Sequence, residues 1–208
     1  MERILIVAKT RMYSGICVSG LTRSSHKGIR LKPPDRLNQP LDTRFEVGQV
    51  WDIEFQADED VEPPHVEDVT VLNQRYVTRI ANMRDTLIRH IQPWRGGPEN
   101  LFDGALTMDQ RKCYISQSGQ IPNCSTGYWI TDRLLTLSQE NDKPYYLIEY
   151  NDKERGKLYT RNLSIKFVGF TPPVRQIPPG TLIRVSLARW FLVSGEKRCY
   201  LQISGWYV

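Results

Sequence analysis

Basic residues recur beside aromatics in this chain, at spacings that suit gripping a polyanion rather than cleaving a bond. Lys9 and Arg11 stand near Tyr13, Arg30 and Lys32 alternate in one short run, and Tyr159 is two residues from Arg161. Arg189 abuts Trp190, and Lys197 and Arg198 lead into Tyr200. Cations neutralise phosphates and release condensed counterions, while an aromatic ring offers a face on which a base can stack. Each stacked base contributes roughly 1–3 kcal/mol, so two or three exposed rings suffice for useful affinity. The competing reading of each ring is a core position. Trp51 lies inside an apolar run and reads as core, whereas Trp190, at a strand end beside Arg189, is expected to be exposed.

Catalytic arrangements are harder to assemble. His26, His65 and His90 fall in a basic loop, an acidic loop and a helix end, with no G-x-S-x-G context for a nucleophile. The stretch SGLTRSSHKG lacks the G-x-x-x-x-G-K-[ST] pattern of a phosphate loop and reads as a hairpin loop. Asp52 and Glu54 alternate on one strand without the lysine that a one-metal nuclease needs, and Asp132, Glu149 and Lys166 have no spacing that unites them. Cys17, Cys113, Cys124 and Cys199 include no C-x-x-C pair, so a zinc set such as His90, Cys113 and Cys124 lacks the usual closely spaced ligands. No catalytic residue, cofactor or metal is assigned, and the chain is expected not to be an enzyme.

The formal net charge of +5 is modest, but its distribution is uneven. Lys9 to Arg36 holds seven basic residues and one acid, and Lys153 to the end holds ten basic residues and two acids. Ala57 to Leu72 holds six acids and no Lys or Arg. Two basic segments around an acidic one suit a polyanion partner. No run of eighteen apolar residues exists, which argues against a membrane helix, and the short ILIV stretch after Met1-Glu2-Arg3 reads as a strand rather than a signal peptide. A cytoplasmic protein is expected. The oligomeric state is not legible.

These side chains need elements to hold them, and the elements read as strands. RILIVAK, GICVSG, GIRLKP, QVWDIEFQ and HVEDVTVLN are short runs of β-branched and aromatic residues bounded by turn formers. Tyr76, Ile80, Met83, Leu87 and Ile91 fall at helical spacing, with Arg75, Arg79 and Arg89 off the stripe, and predict one amphipathic helix ending before Pro93. Residues 98–125 read as irregular, with a short strand at CYIS. Strands resume from GYWITDRLLTLS, and NDKERGK is a hairpin tip. VGQVWDIEF and PPGTLIRVSL share a G-x-Φ-Φ-x-Φ-x-Φ form, each after an extended connector and before a return strand. That repeat favours two small barrels of five or six strands. In such a barrel the final strand, with Cys199, Leu201 and Ile203 inward and a bend at Gly205, removes an exposed edge, and Trp206 and Tyr207 cover a surface.

ILIVAKTRMYSGICVSG followed by GIRLKP, and RVSLARWF with KRCYLQISGWY, resemble the dual OB-domain proteins of prokaryotes over nearly the whole length. Family counterparts carry an aromatic before the I-R where Gly28 stands here. The resemblance implies a mainly β chain of two tandem OB-like barrels: 1–95 with the helix, a connector over 96–125, and 126–208. It also implies a nucleic-acid-binding role within multi-gene systems that defend against phage or plasmids, and carries no catalytic residue. The expected function is therefore a non-catalytic module for single-stranded or unwound DNA or RNA. The rival is a protein–protein adaptor docking on a nuclease or ATPase motor.

Overall fold

Short β-branched and aromatic runs become strands throughout. The structure, a computed structural model, describes residues 1–35, 37–109, 111–140, 142–154 and 157–208, with the backbone alone described at 151–154, 157 and 158. β1 (Glu2–Met12), β2 (Gly15–Thr22), β3 (Gly28–Lys32), β4 (Gln49–Ala57) and β5 (Asp68–Arg79) close into a barrel in the order β1-β2-β3-β5-β4. Within it only β3 and β5 run parallel. Ile4, Ile6, Ile16, Val18, Leu31 and Ile53 fill its interior with Phe45 and Trp51, whose rings meet edge to face at 5.0 Å. Leu5, Val7 and Leu21 are buried as well, but on the outer face. That double burial is explained by the second half of the chain, which packs on this face.

The helix is shorter than the spacing predicts. Residues 76–79 continue β5, and α1 spans only Met83–Ile88, capped by Asn82, whose side chain accepts from the Asp85 amide at 3.0 Å. The stripe at Tyr76 was a coincidence of period. Tyr76 sits opposite Trp51 on β4, with ring centroids 5.6 Å apart, and this cross-strand pairing outweighs a helical pattern of mixed quality.

The expected irregular connector is partly ordered. It contains β6 (Trp94–Gly96), a 3₁₀ segment over Pro98–Gly104, β7 (Thr107–Asp109) and β8 (Lys112–Ser116), the last being the predicted CYIS strand. Leu101, Phe102, Cys113 and Ile115 are buried in the core of the second half, which is why this segment is held in place. There follow β9 (Thr126–Thr131), β10 (Leu135–Glu140), β11 (Lys143–Glu154), β12 (Lys157–Phe167), β13 (Gln176–Ile177), β14 (Leu182–Leu187), β15 (Phe191–Val193) and β16 (Glu196–Tyr207). The tip between β11 and β12 lies outside the described residues. Among the described residues the sheet has eleven strands, eight along the order β13-β10-β11-β12-β16-β14-β9-β6 with β8 and β15 on β16 and β7 on β8, more than the five or six that the repeat suggests. Its plan nevertheless repeats the first barrel. β9 and β10 act as one strand broken at residues 132–134, pairing β14 through the first piece and β11 through the second. β12 and β16 then run parallel, as β3 and β5 do. The matched glycines of the repeat, Gly48 (φ 89°) and Gly180 (φ 81°), both adopt the left-handed backbone that glycine alone takes without strain.

β14 is buried on both faces. Ile183, Val185 and Leu187 enter the second core, while Leu182 joins Leu5, Val7, Leu21, Val50, Leu87 and Tyr207 in an apolar layer between the halves. β16 is the hub of the second sheet, pairing β8, β12, β14 and β15. Cys199, Leu201 and Ile203 point inward, as expected. Arg184 pairs with Gly205 and Val185 with Ile203, so Ser204 is the extra residue of a bulge beside Gly205. Beyond it Tyr207 donates to the Val7 carbonyl at 2.6 Å, at the place where β1 shifts register against β2. The main chain also crosses the seam: the Arg11 amide donates to Val168 at 2.9 Å and the Phe170 amide to Lys9 at 2.9 Å. Among the described residues no helix is long and apolar enough to cross a membrane.

One packing contact yields a direct test. A methyl group on Gly127 would overlap the Trp94 ring. Gly127→Ala is expected to cost roughly 1–3 kcal/mol through overpacking and to lower Tm by several degrees, read by thermal unfolding. No change in Tm would mean that Trp94 does not rest on β9.

Candidate nucleic-acid interface

A recess of about 260 Å³ opens where the two halves meet, with Arg11, Tyr13 and Arg30 from the first and Lys166, Arg184 and Arg189 from the second. A second recess of about 430 Å³ continues from it, sharing Lys166, Ala188, Arg189 and Gln202 and adding Lys112, Tyr145, Phe191 and Tyr200. The two form one groove crossing the seam. Strand alternation sets its floor. Ile165 and Phe167 face the core, so Lys166 faces out, flanked by Tyr145 on β11 and Gln202 on β16. Lys112 Nζ lies 4.7 Å from the centroid of the Tyr145 ring.

Two hairpin tips flank the groove. Tyr13, fully exposed, stands on the β1–β2 turn, and Phe191, 65% exposed, begins the β15–β16 hairpin. Arg11 stacks over Phe170 at 5.2 Å. Behind the groove lies a buried carboxylate, Asp68. Arg30 Nε stands 2.6 Å from its Oδ1 without hydrogen-bond alignment, Arg189 donates to its Oδ2 at 2.7 Å, and Lys32 Nζ is 3.6 Å away. Asp68, with Asp58 at 3.1 Å from Lys32, orients these three cations, and two acids against three cations leave local positive charge. His65 is buried against this cluster, its Nε2 3.1 Å from the Ala188 carbonyl and 3.7 Å from Cys199 Sγ. Burial, then the charges of Arg189 and Arg30, push its pKa down to about 4, so the ring is neutral near pH 7.

Of the sequence-predicted residues, Arg11, Tyr13, Arg30, Arg189 and Tyr200 come together in the groove. The others do not. Lys9 is buried, 2.6 Å from Glu46 and over Phe170 at 4.9 Å, because the second half covers the face of β1 from which it projects. Lys32 is taken up by Asp58 at 3.1 Å as well as by Asp68. Trp190 is half-buried against the second core and donates its ring N–H to the Pro63 carbonyl at 2.9 Å, so it staples the acidic loop instead of standing free. Lys197 lies 3.5 Å from Glu62. Arg198 donates to Glu196 at 2.9 Å and stacks over Tyr114 at 4.2 Å. Hydrogen bonds from Ser116, Arg198 and Ser118 hold the Glu196 carboxyl below its ordinary pKa, keeping that acid charged. Tyr159, 43% exposed, and Arg161, 5.9 Å from its ring, sit on β12 and line neither recess.

Sequence reasoning missed Lys112, Tyr145, Arg184, Phe191 and Gln202 as groove residues, and met Lys166 only in a search for acids. Among the described residues no three His, Cys, Asp or Glu side chains are grouped to hold a metal ion. Cys113, of the zinc set considered above, is buried, and burial pushes its thiol up to about 12.

No curated protein matches the chain. Among solved structures it is similar to the p204 HINb domain, at 13% identity and TM-score 0.36, covering 97% of this chain and 95% of that one. It is also similar to a murine DNA binding protein solved bound with ds DNA, at 10% identity and TM-score 0.32, covering 97% and 91%. Neither likeness carries an argument at that score. The dual OB-containing domain family, by contrast, matches residues 2–206. With two halves sharing one strand order and closing on each other through a common apolar layer, the chain belongs to the dual OB-containing domain family.

Proposed function

We propose that this protein is a non-catalytic nucleic-acid-binding module that takes single-stranded or unwound DNA or RNA along the groove crossing the seam. The observation that carries the reading is the convergence of Arg11, Lys166, Arg189 and Lys112 with the rings of Tyr13, Tyr145, Phe191 and Tyr200 in one continuous depression. Cations tracking a backbone beside rings that stack bases is how OB barrels hold single strands. A subunit of a prokaryotic system directed against phage or plasmids is the setting we propose for it.

Anisotropy of a labelled 20-nucleotide single strand, measured from 50 to 200 mM salt, tests this. Kd is expected to be tighter than about 100 μM at physiological salt, the weak end of ordinary non-specific binding. Removing two phosphate contacts with Arg11→Ala and Lys166→Ala is expected to flatten the log–log salt slope by about 1.4, at about 0.7 per phosphate. Phe191→Ala is expected to weaken binding roughly 5- to 150-fold with the slope unchanged, the equivalent of one stacked base. Wild-type affinity weaker than about 100 μM overturns the reading.

The adaptor reading has one observation in its favour. Leu72 and Tyr76 on β5 are 57% and 50% exposed, an apolar surface apart from the groove. A stoichiometric nuclease or motor bound there, with no oligonucleotide affinity, would establish it.

A further inference from the structure

Arg184 is 3% exposed, yet among the described residues no carboxylate pairs with it. Its Nη1 donates to Ser204 Oγ at 3.1 Å, and among the described residues its Nε has no acceptor. Its partners, Ser204 and the buried Tyr128 hydroxyl, are both neutral, and a guanidinium this deep is costly without a counter-charge. The fold itself makes the burial unavoidable. Leu182, Arg184 and Ser186 share the face of β14 turned to the first half, and Leu182 supplies part of the apolar layer there. Arg184 lines the inner wall of the 260 Å³ recess and, on its other side, a hollow of about 290 Å³ bounded by Tyr128, Trp94 and His90. Among the described residues no Asp or Glu lines that hollow. Among the described residues the single acid lining the recess is Glu67, and its carboxylate is already bound by the Ser125 amide at 2.5 Å, Ser125 Oγ at 2.8 Å and the Thr126 amide at 3.1 Å.

We propose that the recess is a phosphate site, in which Arg184 is the buried anchor and Arg11 and Lys166 close over the oxyanion from the two halves. Arg30 and Arg189 also line it, but each is partly neutralised by Asp68, so Arg184, Arg11 and Lys166 supply the uncompensated charge. A guanidinium meets phosphate oxygens with paired donors in one plane, which suits a fixed, buried anchor better than a flexible ammonium does. At about 260 Å³ this recess, one end of the groove, holds a phosphate group and part of what bears it, with the rest of the bearer in the 430 Å³ recess that continues from it. The ligand class is thus a terminal phosphate monoester, borne by a strand end or by a small molecule. Only the choice of strand end rests on the nucleic-acid reading above; the site does not.

The test uses the full chain in three arms. Inorganic phosphate, at tenfold its Kd and against chloride at equal ionic strength, is expected to raise Tm by roughly 3–5 °C. Arg184→Met, of similar length and uncharged, is expected to unfold in chloride at the wild-type temperature or above it, and to lose the phosphate response. A ten-nucleotide strand phosphorylated at one end is expected to bind at least tenfold tighter than the same strand with hydroxyls at both ends, and Arg184→Met to bring that ratio within twofold. If Arg184→Met fails to fold, Arg184→Lys, which keeps the charge without the planar fork, is expected to weaken the phosphate response at least fivefold. Phosphate protection without preference for a phosphorylated strand supports the site and assigns it to a small phosphate monoester. No protection of the wild type, or equal protection of wild type and variant, overturns the proposal. Binding of the hydroxyl-ended strand reports on the groove alone, so the two readings fail separately.

Discussion

Ending the chain at Gln202 is expected to abolish the cooperative unfolding transition of the protein and its near-ultraviolet circular dichroism. The six residues removed include Ile203, fully buried in the second core, Trp206, packed on Tyr146 and Phe167, and Tyr207, inserted between the halves. They also carry the pairing of β16 with Leu182, Ile183, Arg184 and Val185. Truncating a buried Ile costs roughly 2–5 kcal/mol and an aromatic roughly 3–5 kcal/mol. Three such losses approach the roughly 5–15 kcal/mol by which a whole protein is stable. Removing Val208 alone, which is 92% exposed, is expected to change nothing measurable. A chain ending at Gln202 that still melts in one sharp step near the full-length temperature would show that β16 is not the hub of the second sheet.

Acidification from pH 7 to pH 4.5 is expected to destabilise the wild type by about 2–3 kcal/mol more than His65→Gln. His65 is held neutral in the folded protein, with a pKa of about 4 against 6.5 when unfolded. Its neighbours on every side are the cations Arg189 and Arg30, the Asp68 carboxylate, the Ala188 carbonyl and the Cys199 thiol. Among the described residues its own Nδ1 has no hydrogen-bond partner. Between pH 6.5 and about 4 the unfolded chain binds a proton that the folded chain refuses, so stability falls as pH drops. The stabilisation is whole above pH 6.5 and lost as pH approaches 4, about 3 kcal/mol in all. Gln keeps a donor for the Ala188 carbonyl and does not titrate. Urea midpoints at the two pH values decide the matter, and parallel losses in the two proteins would remove His65 as the cause.

What was legible in the sequence followed from local alternation. The strand runs, the inward set Cys199, Leu201 and Ile203, and the G-x-Φ repeat all depend on neighbours two residues apart. So does the outward face of Lys166, which the pattern IKF states plainly but which mattered only once β11 and β16 were known to flank it. What was not legible depended on the docking of the halves. Lys9 looks like Arg11 in sequence, yet one is covered by Phe170 and bound to Glu46 while the other reaches the groove. Trp190 and Phe191 are adjacent aromatics, and only the capture of the Trp190 N–H by Pro63 decides which is free to stack. Tyr76 shows the complementary failure, a helical period overruled by a partner strand.

The apolar layer shared by Leu5, Val7, Leu182 and Tyr207, with main-chain bonds across it, makes the pair of barrels a single ruler rather than two beads on a string. Tethered modules gain avidity through an effective concentration that their linker sets, and they lose motional freedom when both engage. Fused ones bring their contacts already spaced, so the entropic toll of ordering falls on the guest instead. A strand lying across this protein would have its trajectory dictated at the junction, and guests too stiff to follow that path would be turned away whatever their base sequence.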